Sequence, residues 1–304
     1  MDCGQMAQNP RTMKSIFRIS NAVIIAIFSL LAASCCKDNG SAKVHVRVND
    51  FSIAQEEFGM KSPTDVADYS GVKAITLAFY TSAGVEQYKV TQLRADATTY
   101  TTFGEFDCSL PMGSYTMVVI GHGLNAGEPA ITLTSPTAAT FGSNTVRETF
   151  ATTQAVNITN TDALSLSATL NRVISRLDIR STDYQTENAY SIHATFSAGG
   201  KSFNPTTGLA TANTGFTNTV VLQTSAGSIA GSINYLFLAT DEQTMNITFD
   251  VLDSDGNTLT HKVINDVPFK RNRITKLTGS IFSAGGDGSF QVETDWLTDH
   301  VINF

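Results

Sequence analysis

The chain has 304 residues, with 20 Lys and Arg against 27 Asp and Glu, and so a formal net charge of −7. That balance argues against broad binding to a nucleic-acid backbone, which needs a basic surface for counterion release. Hydrophobic residues make up 42 %, enough for a packed core, and the length fits two domains of ordinary size. Charged residues are sparse at 15 %, while Thr, Ser, Gly and Asn are common, a bias that suits strands joined by polar turns.

The N-terminal segment carries a clear plan. Met13, Lys14 and Arg18 form a short basic start, residues 19–33 are mostly apolar, and small Ser34 precedes Cys35 and Cys36. This is the order of a secretory signal. The apolar run is shorter than the ~20 residues of a membrane-spanning helix. Translation from Met13 leaves residues 1–12 as an over-extended start, whereas a start at Met1 makes them a long first region; both fit. Residues 30–35, LLAASC, resemble a bacterial lipobox, cut before a cysteine that then carries lipid. Leu31 stands one position farther from Cys35 than that pattern has it, and Cys36 offers a second frame. The expectation is a lipoprotein-type signal over 1–34, lipidation at Cys35 with Cys36 as the alternative, and a polar tether over 35–42. Two or three acyl chains, palmitate among them, hold a protein firmly to a membrane, whereas one binds marginally. Only Cys36 and Cys108 then remain as thiols, too few for a disulfide framework. Cys108 alternates with Phe106 and Leu110 and reads as a small core residue.

Strand signals fill the rest. Residues 43–48, KVHVRV, alternate apolar and polar with period two. Residues 72–80 form a nearly continuous apolar run, the pattern of a core strand, and Ser82, Ala83 and Gly84 make a turn into a strand over 85–90. Strands over 103–110 and 114–120 flank Pro111, Met112 and Gly113, where Pro presets φ and Gly permits positive φ. Residues 121–127, GHGLNAG, read as a loop, and 129–165 continue as Thr-rich strands. Around 164–180 the pattern is mixed: Leu170, Val173, Ile174 and Leu177 fit helical spacing, while Leu164, Leu166, Leu177 and Ile179 fit a strand. The expectation is strand, short helical turn, strand, with a boundary between domains at 43–165 and 166–304. Further strands are expected over 190–196, 217–222, 233–238, 245–252, 259–263, 274–282 and 290–296. Many short strands with turn signals imply β-sandwiches.

No catalytic constellation emerges. Residues 197–202, SAGGKS, suggest a phosphate loop, but Thr195 stands where that motif needs its first Gly, and no helix pattern follows. Residues 253–257, DSDGN, open like a calcium loop, yet the twelfth position is Ile264 and cannot ligate; Asp-Gly between strands is a hairpin signal. His45, His122, His193, His261 and His300 have no metal-ligand spacing. The expectation is therefore no enzyme, no cofactor and no metal. In 267–279, VPFKRNRITKLTG, the apolar residues change phase between Phe269 and Ile274, so a turn is expected at 270–272 with Asn272 suited to positive φ and the charges on a solvated hairpin tip.

Three stretches carry a family resemblance. LPMGSYTMVVIGHG (110–123), LNRVISRLDI (170–179) and VPFKRNRITKLTG (267–279), followed by Asp295 and Trp296, occur in an order similar to the fimbrillin superfamily of Bacteroidales. The resemblance implies an all-β fold of two tandem transthyretin-like β-sandwich domains. It also implies a surface protein of fimbriae at the cell outer membrane, with other fimbrial subunits and outer-membrane lipid as partners. Stalk, tip and anchor roles all occur there. In the stalk type an Arg-directed protease removes the first strand, and a neighbour's strand fills the groove. Arg47, inside the first strand pattern, is then the candidate cut site. The alternative is a surface lipoprotein that captures a glycan or host ligand, which would need exposed aromatic rings; Trp296 is the only Trp.

Overall fold

The computed structural model describes residues 40–52, 64–142, 145–222, 227, 229–283 and 291–294, the last four by backbone alone. Cys35, Cys36, Asp295, Trp296 and His300 lie outside these residues. From Gly40 onward the chain forms one compact unit. No helix occurs among the described residues.

The first half supplies β1 (Ser41–Ser52), β2 (Thr64–Asp65), β3 (Ala74–Thr81), β4 (Glu86–Leu93), β5 (Glu105–Pro111), β6 (Gly113–His122), β7 (Thr132–Ser135), β8 (Ala138–Thr140), β9 (Thr149–Ile158) and β10 (Leu164–Arg172). The second half supplies β11 (Ser175–Tyr184), β12 (Ser191–Phe196), β13 (Ser202–Asn204), β14 (Leu209–Ala210) and β15 (Phe216–Val221). It continues with β16 (Ile229–Leu236), β17 (Glu242–Leu252), β18 (Thr258–Lys270), β19 (Ile274–Gly279) and β20 (Gln291–Thr294).

The largest sheet runs β2-β1-β10-β9-β6-β3-β4, with β5 paired to β1. β9 and β10 meet at only two register positions, Asn171 with Ala151 and Arg172 with Phe150. The sheet turns back on itself there, so β1, β5 and β10 face β3, β6 and β9 across one core. Ala42, Val44, Val46, Val48 and Phe51 of β1 pack in it against Leu77, Phe79, Met117, Val119, Phe150 and Leu170. β3 is buried on both faces, which explains its unbroken apolar run. Ile75, Leu77 and Phe79 serve the first core, while Ala78 and Tyr80 serve another.

That other core lies under a four-stranded sheet, β14-β13-β8-β7, to which both halves of the chain contribute. Ser202 pairs with Thr140 and Phe203 with Ala139. Phe203 stacks on Phe237 with ring centroids 4.4 Å apart, and Phe141 lies 6.3 Å beyond Phe237. The second sandwich packs β16-β11-β19-β20 against β15-β12-β17-β18 around Leu177, Ile192, Phe196, Leu236, Phe249 and Leu277.

Several expectations are corrected. The boundary at 165/166 falls inside β10, whose partners are β1 and β9; the chain passes to the second sandwich at Val173 and Ile174. No helical turn forms there. Leu170 of β10 belongs to the first core, Val173 and Ile174 of the link to the shared one, and Leu177 of β11 to the second, so their spacing records a chain that crosses three cores. Gly113 does not take positive φ, and β5 and β6 are not paired with each other; the Tyr115 hydroxyl fixes this corner by donating to the Pro111 carbonyl at 2.8 Å. Asn272 does take positive φ, 58°, but β18 and β19 sit in opposite sheets, so the turn links sheets and is no hairpin.

Candidate functional site

The first strand is the feature that function would use. β1 lies between β10, to which it runs parallel, and β5, to which it runs antiparallel. β5 has no other strand partner among the described residues. Period-two alternation drives Ala42, Val44, Val46 and Val48 into the core, and Phe51 joins them beyond the register shift between Val48 and Asp50, each at most 3 % exposed. The opposite face carries His45 and Arg47. His45 Nδ1 lies 2.9 Å from Asp107 Oδ1, and Arg47 Nε lies 3.6 Å from Glu105 Oε1, both cross-strand pairs to β5. The Arg47 side chain is 59 % exposed, but its backbone is opposed by Ser167 of β10 and Glu105 of β5.

Where the two sandwiches meet, a buried polar cluster forms. Arg172 closes β10, and its guanidinium pairs with Glu148 Oε1 at 2.7 Å. It donates to the Tyr69 hydroxyl and to Asn272 Oδ1, each at 3.3 Å, and lies over the Phe150 ring at 5.0 Å. The Tyr69 hydroxyl donates to Glu148 at 2.8 Å. Burial, with the Glu148 charge beside it, pushes the Tyr69 hydroxyl well above its ordinary range.

The basic turn docks here instead of standing free in solvent. Lys270 pairs with Glu242 at 2.8 Å and Arg271 with Asp241 at 2.7 Å. Arg271 also donates to the Thr207 carbonyl at 2.7 Å, and the Asn272 amide donates to the Ile174 carbonyl at 2.9 Å. A polar cleft of about 670 Å³ lies among Thr152, Arg172, Thr207, Glu242 and Arg273. The apolar flanks of Arg172 were visible in the sequence, but nothing local linked it to Glu148 or Tyr69.

A groove of about 970 Å³ on the second sandwich is lined by Asp178, Arg180, Val220, Ile233 and Lys276. Its Asp178 is held in a two-pronged pair by Arg176, at 2.5 and 2.7 Å.

The remaining candidates resolve into turns. Gly199, at φ 76°, and Gly200, where a Cβ would stand 2.5 Å from the Ala212 carbonyl, carry the chain from β12 to β13. Asp253 Oδ1 accepts from the Asp255 and Asn257 amides at 2.9 and 2.7 Å, closing the β17–β18 hairpin with Gly256 at φ 85°. His122 is fully buried, not in a loop; its Nδ1 donates to the Gly123 carbonyl at 2.7 Å and its Nε2 accepts from the Ile131 amide at 3.1 Å. Cys108 is half-buried, and burial pushes its thiol up to about 11. Among the described residues no three His, Cys, Asp or Glu gather as metal ligands.

No functionally curated protein matches the chain in sequence. The fold is similar to an adhesin candidate from Bacteroides ovatus, at 11 % identity and TM-score 0.50 over 86 % of this chain and 97 % of that one. The fimbrial anchor protein Mfa2 from Porphyromonas gingivalis aligns at 13 % identity and TM-score 0.46, over 83 % of this chain and 95 % of its own. A fimbrial assembly protein from Parabacteroides distasonis aligns at 13 % and 0.38, over 83 % and 98 %. The likeness is one of fold, the all-β fold that the resemblance in sequence led us to expect. Residues 75–303 match the profile of a family of unknown function, DUF6562, and the chain belongs to that family.

Proposed function

We propose that this protein is a structural, non-enzymatic component of surface fimbriae, held to the outer membrane by lipid on Cys35, with Cys36 as the second frame, and assembling with other fimbrial subunits by β-strand addition. The observation that carries the reading is the seat of β1, a strand with ladder partners on both sides and one fully buried face. Burying three Val and one Phe contributes roughly 6–12 kcal/mol as an upper bound. That is the size of a domain's whole net stability, about 5–15 kcal/mol. A first sandwich without β1 therefore persists only if another strand fills the slot, with main-chain bonds giving affinity and alternate side chains giving register. The fold shared with the Bacteroides ovatus adhesin candidate supports the same reading.

An anchor keeps β1 in this slot, whereas a stalk subunit starts with β1 in the same ladders and then loses it. Cleavage after Arg47 in the folded chain requires both flanking pairings to open. Two measurements test this. Mass spectrometry of the mature protein from a Bacteroidales host should find an acylated N-terminal Cys35 or Cys36; an unmodified N-terminus upstream of Cys35 sinks the lipid anchor. The purified protein, treated with an Arg-specific protease and sized, separates the two roles: an anchor keeps β1 and stays monomeric. Loss of residues up to Arg47 followed by polymerisation would make it a stalk subunit.

A further inference from the structure

Two aromatic side chains stand out on the described surface: Tyr184, 65 % exposed, and Tyr190, 51 % exposed. Every other Tyr and Phe described is buried or half-buried. Both lie at the end of the second sandwich opposite the junction, since β11 starts beside Ile174 and ends at Tyr184. They bracket a five-residue loop, 185–189.

Scattered exposed aromatics need no explanation by themselves. These two are fixed from both sides. Next to Tyr184, the Asp183 carboxylate accepts from the Ile281, Phe282 and Ser283 amides at 2.7–2.9 Å. On its other side, Nε2 of the buried Gln185 side chain donates to the Ala189 carbonyl at 3.2 Å, and the Gln185 backbone carbonyl accepts from the Gly227 amide at 3.0 Å. The Tyr190 amide donates to the Leu252 carbonyl at 2.8 Å, and its carbonyl accepts from Leu222 at 2.9 Å. A ring displayed on a fixed backbone offers a broad amphipathic contact at low cost in conformational freedom.

The loop between the rings exposes Thr186, Glu187 and Asn188: a hydroxyl, a carboxylate and an amide. Residues 181–190 contain two carboxylates and no cation, which disfavours an anionic ligand. A protein partner needs on the order of 800 Å² per side with an apolar centre. Among the described residues the exposed aliphatics near Tyr190 are Val221, at 44 %, opposite Ser191, and Leu259, at 37 %, two strands away. Apolar ring faces next to hydroxyl-matching groups suit a sugar, which is apolar on its C–H face and polar at its rim.

We propose that this end of the second sandwich is a contact site for a neutral polysaccharide, with Tyr184 and Tyr190 stacking on sugar rings and Glu187 and Asn188 bonding their hydroxyls. The proposal is independent of the fimbrial reading. Its test is affinity electrophoresis of the whole mature protein in gels containing mannan, galactan, xylan or a β-glucan, with polygalacturonate as the anionic control. Retardation is expected in at least one neutral gel, weakened about tenfold by Tyr184→Ala or Tyr190→Ala. The Phe variants should keep binding, and unchanged melting temperatures should certify the fold. No retardation by any neutral polysaccharide overturns the proposal, as does retardation that survives the double Ala variant. Retardation by polygalacturonate alone overturns it too, as does self-association that the Ala variants abolish without added sugar.

Discussion

Replacing Asp183 by Asn should destabilise the second sandwich far more than a surface change of one atom would. Its carboxylate ties the end of β11 to the turn that follows β19, about a hundred residues later. Oδ2 accepts from Ser280 Oγ at 2.6 Å, Phe282 N at 2.9 Å, Ser283 N at 2.7 Å and Ser283 Oγ at 2.8 Å. Oδ1 accepts from Ile281 N at 2.8 Å and from the Ser181 hydroxyl. Burial acts to raise the acid's pKa, but the donors, led by Ser181 and Ser280, outweigh it and hold the group well below the usual carboxylate range. Asn does best with its oxygen at Oδ2, which points its NH₂ at the Ile281 amide, donor against donor. One unsatisfied amide costs about 1–3 kcal/mol, and the bonds that remain lose their charge assistance, so we expect about 3 kcal/mol for this half-buried site. For a chain of this size that is a fall of about 6–12 °C in Tm. Calorimetry should record it, and amide exchange at Ile281, Phe282 and Ser283 should quicken. The depressed pKa stabilises the fold above the unfolded value of about 3.9 and loses that effect as pH falls through the folded one, so the gap between parent and variant should narrow below about pH 5. A Tm within about 2 °C of the parent, with unchanged exchange at the turn, would refute the reasoning.

Two further predictions follow from the buried groups. Arg172→Ala leaves Glu148 buried without its guanidinium and should cost about 3–5 kcal/mol, whereas Arg172→Met combined with Glu148→Leu should recover most of it; equal losses in single and double variants on thermal melting would contradict the pairing. His122 is held neutral: burial lowers its pKa, against the raising effects of the Gly123 carbonyl and Glu128. Below its unfolded pKa of about 6.5 the unfolded chain takes a proton that the folded chain refuses, so stability should fall with falling pH by up to ~1.4 kcal/mol per unit. His122→Asn should remove that part of the slope, and an identical pH profile in parent and variant would count against it.

The strands themselves were legible because their cause is local. Alternation in 43–48 placed β1, and the unbroken run at 72–80 marked a strand covered on both faces. The phase change at 267–279 located a turn with Asn272 at positive φ. Polar punctuation likewise reduced SAGGKS and DSDGN to turns. Where several cores compete, local reading failed. Leu170, Val173, Ile174 and Leu177 mimicked a helix because three different cores claim them. Short β13 has no local signal because its partner β8 lies some sixty residues away, and two-residue β14 pairs only with β13.

The sequence by itself determined an all-β chain and the positions of most strands and turns, since side-chain period and turn chemistry act over a few residues. Only the tertiary structure decided which strands share a sheet. It set β1 between β10 and β5, turned KRNR from a solvated tip into a docked strut beside Arg172, and gathered Tyr184 and Tyr190 at one end of the second sandwich. Each of these depends on groups far apart in the chain, and their meeting is fixed by how the sheets pack, which no short window encodes.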